Sequence, residues 1–222
     1  MRKKEKLQKI HDLLFAAYGT CSCPLKHDSP FQLLAAVMLS AQCRDERVNI
    51  VTKELFAAAP DALSMSKMPV GEIERIIHPC GLSGSKSRNL SAAAAMISEK
   101  FNNTVPCTME ELISLPGIGR KSANVILGNC FDIPGFPVDT HVNRLLNRLK
   151  ITASSDPQKI EAEVNALLPP ELWTNFSHLL ITHGRQVCHA RSPECNNCQL
   201  AELCPESKKL SIKNSANAEN NR

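Results

Sequence analysis

The stretch Leu115-Pro116-Gly117-Ile118-Gly119-Arg120-Lys121 stands between two helical patterns, and its two glycines predict a tight hairpin there. Upstream, Thr108 with Glu111 three residues on reads as a capping box that opens a helix toward Leu112 and Ile113. Downstream a second helix begins, so the backbone N–H groups of the hairpin face its N-terminal end. Such a turn is built to bind an anion. Glycine has no Cβ to block close approach, and the helix dipole adds a partial positive charge at the same point. The expected anion is a backbone phosphate of DNA, with Gly117, Gly119 and Arg120 at the contact. On this segment alone Lys121 is no more than a further phosphate contact.

Outward from the hairpin the pattern stays helical. Ser29-Pro30 reads as an N-cap followed by proline at the first helical position, and 31–42 then runs almost wholly apolar, as in a central, buried helix. Further helices are predicted at 45–59, 73–78 and 87–101, separated by Pro60, the 69–71 turn and Gly81-Leu82-Ser83-Gly84. Beyond Pro134-Gly135 a helix is predicted at 140–149. Asp156-Pro157 opens the next, with Ile160, Val164, Leu167 and Leu168 on one face and Pro169-Pro170 at its end. A last helix spans 171–183, stopped by Gly184, and the chain then turns cysteine-rich and irregular as far as Cys204. The stretch 207–222, rich in Asn, Ser and Lys, reads as a disordered tail. Aromatics make up only 4% of the chain while Ala and Leu recur, which favours an all-α fold class.

Composition narrows the setting. At 222 residues the chain is long enough for one large domain or two small ones. The net charge of +4 does not by itself establish nucleic-acid binding, but Arg2, Lys3, Lys4, Lys6 and Lys9 crowd the N-terminus against Glu5 alone, either as a basic patch or as a solvated helix face. No apolar run reaches membrane-spanning length and no signal-peptide core follows the charged start, so a cytoplasmic, nucleoid-associated protein without a membrane partner is expected, with a monomer as the default. Ten cysteines in a reducing compartment are not a disulfide framework.

Four of those cysteines are spaced for a metal. Cys188, Cys195, Cys198 and Cys204 run C-x6-C-x2-C-x5-C within one short loop, a spacing open both to tetrahedral zinc and to an iron–sulfur cluster. Arg185, His189 and Arg191 flank the loop, either within reach of phosphates or as solvated charge. The other six cysteines, apart from the short CxC at Cys21, show no metal spacing and read as small buried hydrophobes. His11, His27, His78, His178 and His183 have no partner that the sequence reveals. Asp139 precedes the 140–149 helix as an N-cap, and a carboxylate that accepts helix N–H bonds favours its ionised form.

The hairpin resembles the helix-hairpin-helix motif. With Val138-Asp139-Thr140-His141 at the family's distance downstream, residues 115–123 resemble specifically the endonuclease III family, and the resemblance extends over about 29–204. It implies a helix-hairpin-helix DNA glycosylase fold in two parts. One is a six-helix barrel domain, 24–133, that contains the helix-hairpin-helix at about 108–128; the other is an iron–sulfur cluster domain made from 1–23 and 134–204, ahead of a tail at 205–222.

The resemblance also assigns roles. Lys121 would be the amine nucleophile and Asp139 its catalytic partner in a bifunctional DNA glycosylase and AP lyase. That enzyme removes oxidised pyrimidines from double-stranded damaged DNA and cleaves 3′ to the abasic site by β-elimination. The four cysteines would hold a [4Fe-4S] cluster rather than zinc. Gln42 and Leu82 would fill the space left by an extruded base, though the sequence also allows a surface glutamine and a core leucine. His141 would orient the mouth of the site, and Asp45 would cap the next helix. Ser83 stands where the family often has an aromatic, and Ser122 replaces its usual threonine. Two rivals remain at this point: a monofunctional glycosylase for another lesion, and a noncatalytic DNA-binding module with structural zinc.

Overall fold

The structure, a computed structural model, describes residues 1–207; it consists of helices and loops, with no strand among the described residues. The chain divides into two compact units, Cys23–Ile133 and Met1–Ser22 with the chain from Pro134 onward.

The Cys23–Ile133 unit contains seven α-helices: α2 (Pro30–Ser40), α3 (Asp45–Ala58), α4 (Ala62–Lys67), α5 (Val70–Ile77), α6 (Ser83–Lys100), α7 (Met109–Ser114) and α8 (Arg120–Cys130). The six-residue α4, which the sequence pattern did not signal, starts on a full capping box between Asp61 and Ser64. Helix α2 forms the middle of this unit. Ser29 Oγ accepts from the Gln32 N–H, Pro30 occupies the first turn, and Phe31, Leu33, Leu34, Ala35, Ala36, Val37, Met38 and Leu39 are all buried. With no polar face to give water, such a helix has to be surrounded, and α3, α6 and α8 pack against it.

The helix ends differ from expectation in informative ways. Helix α2 stops at Ser40, because Ser40 to Cys43 form a turn closed by Cys43 N–H on Ser40 C=O at 3.0 Å, with Gln42 at φ 56°. Helix α6 begins at Ser83 rather than 87, since Leu82, at φ 53°, acts as its N-cap. The capping box expected at α7 is only half formed. Thr108 Oγ1 accepts from the Glu111 N–H, while the Glu111 carboxylate accepts from the Thr108 hydroxyl at 2.8 Å instead of turning to its backbone. Asp45 is not a cap: the N-cap of α3 is Arg44, and Asp45 is its first helical residue.

The other unit contains α1 (Lys3–Tyr18), α9 (Thr140–Arg148), α10 (Pro157–Asn165) and α11 (Trp173–Gln186). The basic run lies in the N-terminal half of α1, with Lys3, Lys4 and Lys9 exposed and Lys6 Nζ donating to the Leu149 carbonyl at 2.6 Å, while the helix buries Leu7, Ile10 and Leu14 in a core with Phe136, Leu145, Leu146, Ile160, Phe176 and Leu180. Gly184 does not stop α11, which continues to Gln186. Instead it admits a close helix contact: a Cβ there would lie 3.0 Å from His141 Cβ and 3.2 Å from Arg144 Nη2. Ser207 is buried, its hydroxyl donating to the carbonyls of Ala201 and Cys204 at 2.8 Å each. The rest of the expected tail, 208–222, lies outside the described residues.

Candidate active site

The hairpin is closed by Ile118 N–H on Leu115 C=O at 3.1 Å, and its two glycines serve different needs. Gly117 has φ 81°, and a Cβ there would come within 2.9 Å of Met38 Cε and 3.1 Å of Asn89 Cβ. The protein's own packing therefore demands glycine at 117. Gly119 is the N-cap of α8 with an extended backbone, and a Cβ on it would meet nothing within 4 Å. No packing reason requires glycine there, and Gly119 itself supplies no side-chain cap to α8. The helix thus presents an open N-terminus with Gly119, Arg120 and Lys121 all exposed.

Asp139, in the other unit, is built in the opposite sense. Its Oδ1 accepts from the N–H groups of His141 and Val142 at 2.8 and 2.9 Å, so the carboxylate is fixed as the N-cap of α9. Both bonds use Oδ1, which leaves Oδ2 available to a ligand. His141, on the first turn of α9, receives Arg144 Nη2 at 3.1 Å on Nδ1. Burial lowers its pKa, so its neutral form is favoured.

Arg144 and Arg148, one turn apart on α9, hold the start of the cysteine loop. Arg144 donates to the carbonyls of Gly184 and Cys188 at 3.0 and 2.8 Å. Arg148 Nη1 lies 3.1 Å from Cys188 Sγ and 2.8 Å from the His189 carbonyl, and Nη2 reaches the Ala190 carbonyl. Neither arginine was singled out by the sequence pattern, because an i, i+4 pair of arginines reads as a solvated helix face. Behind the loop, Tyr18 Oη and Cys198 Sγ flank His183, at 2.9 Å from Nδ1 and 3.4 Å from Nε2. One tautomer satisfies both, and burial pushes the His183 pKa down to about 4, which keeps that ring neutral.

The four cysteines each remain partly accessible and stand within electrostatic reach of one another. Burial raises the Cys195 thiol pKa and pushes that of Cys198 up to about 11, so thiolates here call for a compensating positive centre. Among the described residues no three His, Cys, Asp or Glu side chains converge on a single-ion site. Arg185 and Arg191 are exposed, and His189 lies 3.7 Å from Glu194.

Gln42 and Leu82 share an unusual backbone. Both have left-handed φ, a conformation that costs a residue with a Cβ roughly 1–2 kcal/mol. Leu82 is also 57% exposed, which rules out the core position that its residue type suggested.

Residues 35–170 match the family model described as HhH-GPD superfamily base excision DNA repair protein. The chain is 47% identical to endonuclease III of Synechocystis sp. over 91% of its own length and 93% of that protein's. Against endonuclease III of Bacillus subtilis it is 39% identical, over 91% of each chain. A solved structure of a trapped covalent intermediate between endonuclease III and DNA superposes with a TM-score of 0.90 at 39% identity, covering 94% of this chain and 99% of that one.

Proposed function

The chain belongs to the endonuclease III family of the HhH-GPD superfamily, and on that premise we propose that Lys121 and Asp139 are its reacting pair. It is a bifunctional base-excision DNA glycosylase and abasic-site lyase that acts on oxidised pyrimidines in duplex DNA. The observation that carries the proposal for the pair is an exposed amine one residue inside an uncapped, glycine-started helix, in a chain that also fixes a carboxylate at Asp139.

The open N-terminus of α8, with Gly117, Gly119 and Arg120, takes a DNA phosphate and so brings the sugar to Lys121. The damaged nucleotide leaves the stack, and Gln42 and Leu82 enter the space it vacates. The unprotonated Lys121 Nζ attacks C1′ as the glycosidic C–N bond breaks and the base departs with the bonding electrons. Asp139, held by the two N–H bonds on Oδ1, stabilises the positive charge that develops on the sugar. Ring opening gives an iminium between C1′ and Nζ. This acidifies the C2′ proton, whose loss expels the 3′ phosphate and cuts the strand. His141, Arg185 and Arg191 contact the DNA backbone around this step, and the enzyme works as a monomer on DNA of the nucleoid.

Cys188, Cys195, Cys198 and Cys204 fit a [4Fe-4S] cluster, in a loop where Arg148 and His183 approach two of the sulfurs. When bound, the cluster would cross-link four points of the 188–204 loop, and excision needs no electron from it.

Borohydride trapping on abasic-site duplex tests the proposal. Wild type is captured covalently and Lys121→Gln is not. Equal trapping of the two would remove Lys121 from its role. Visible absorbance and an iron assay test the cluster, which a colourless, iron-free but fully folded protein would exclude.

A further inference from the structure

Lys86 is 6% exposed, among the most deeply buried charged side chains of the described residues, and nothing above uses it. A buried ammonium is costly unless it is hydrogen-bonded to strong acceptors, so its partners indicate why it is there. Lys86 lies in the first turn of α6, and its Nζ donates to the Leu39 carbonyl at 2.9 Å and the Cys80 carbonyl at 3.0 Å. Both acceptors end helical segments, the last turn of α2 and the 3-10 turn His78–Cys80, where carbonyls lack intrahelical partners and the helix dipole is negative. Three residues after Leu39 comes Gln42, and two after Cys80 comes Leu82, two of the six non-glycine residues with left-handed backbones among those described. The thiols of Cys43 and Cys80 in the same two turns also lie within electrostatic reach of each other. One ammonium thus ties together the bases of both turns.

We propose that Lys86 is a positioning residue for base extrusion, setting the separation of the Gln42 and Leu82 turns so that both enter the duplex together. The inference rests on the reading of Gln42 and Leu82 as the residues that replace the extruded base. A wedge of two side chains on separate loops fills one gap only if the loops keep a fixed spacing. A bridging cation at the base supplies that constraint without touching DNA.

The test compares single-turnover release of an oxidised pyrimidine from a paired duplex and from a mismatched bubble, where the base is already unstacked. The iron-loaded full chain is used throughout. Lys86→Met is expected to slow release from the duplex by at least about tenfold and from the bubble by less than about threefold. In a Gln42→Ala/Leu82→Ala background the same substitution should leave the duplex-to-bubble ratio unchanged. If Lys86→Met does not fold, Lys86→Gln, which keeps an amide donor, carries the same comparison. Equal slowing on both substrates, or none, overturns the role of Lys86. If the double variant itself shows no duplex-specific loss, the wedge reading falls and the Lys86 role falls with it. A duplex-specific loss in the double variant alone sinks only Lys86.

Discussion

The N-termini of α8 and α9 carry the two proposed reacting residues and are finished in opposite ways. Helix α8 starts on Gly119, which has no side chain to cap it, whereas α9 starts on Asp139, whose Oδ1 takes two of its first N–H groups. The same dipole is present at both ends. In α8 it is left for an anion from outside, and in α9 it is spent on the chain's own carboxylate. On the proposed reading a lysine beside the open end gains a guided substrate, and an aspartate locked on the closed end gains a fixed position.

The comparison breaks most sharply at Lys121. Replacing it by Gln should lower base release and strand cleavage by at least about a thousandfold and abolish borohydride capture, with the melting temperature unchanged because the side chain is exposed. Next comes the closed end. Asp139→Ala should lose about a hundredfold in single-turnover rate and also about 1 kcal/mol in urea unfolding, as charge and cap go together. Asp139→Asn keeps an acceptor for the N–H groups, so it should lose the rate but hold most of the stability; a wild-type rate in Asn would mean that the negative charge is not needed.

The two glycines sharpen the contrast at smaller scale. Gly119→Ala should weaken binding to abasic DNA by about tenfold at fixed salt while changing stability by less than about 1 kcal/mol. Gly117→Ala, at φ 81° and against Met38, should destabilise the fold by about 1–2 kcal/mol. Swapped outcomes in these two assays would reverse the division of labour between them. The smallest effect belongs to His141. Its pKa is lowered in the fold, mainly by burial, so it contributes stability above the unfolded value of about 6.5 that is lost as pH falls below it. Denaturation midpoints of wild type and His141→Asn should converge as pH falls from neutral through about 6.5 and below; parallel curves would contradict this.

What could be read in advance was what short-range chemistry determines. The proline after Ser29, the glycines of the hairpin and the Asp139 cap act through neighbours a few residues away, and each stands where its residue type implied. Gly184 was misread because its glycine requirement comes from His141 and Arg144, some forty residues earlier in the chain. The left-handed backbones at Gln42 and Leu82 left no trace, since neither is the glycine or asparagine that advertises positive φ. Lys86, Arg144 and Arg148 give no signal in the sequence because their carbonyl acceptors belong to the main chain, which carries no residue-type signature.

The chain's division has a consequence for how it leaves the ribosome. Residues Cys23–Ile133 are contiguous and can condense as soon as they emerge. Helix α1 is made ahead of that unit, yet Leu7, Ile10 and Leu14 bury against a core that includes Phe176, Leu179 and Leu180, synthesised more than roughly 160 residues later. Until then the apolar stripe of α1 lacks its partners on α11. The exposed Lys3, Lys4 and Lys9 on the same helix keep that waiting segment hydrated until α11 arrives.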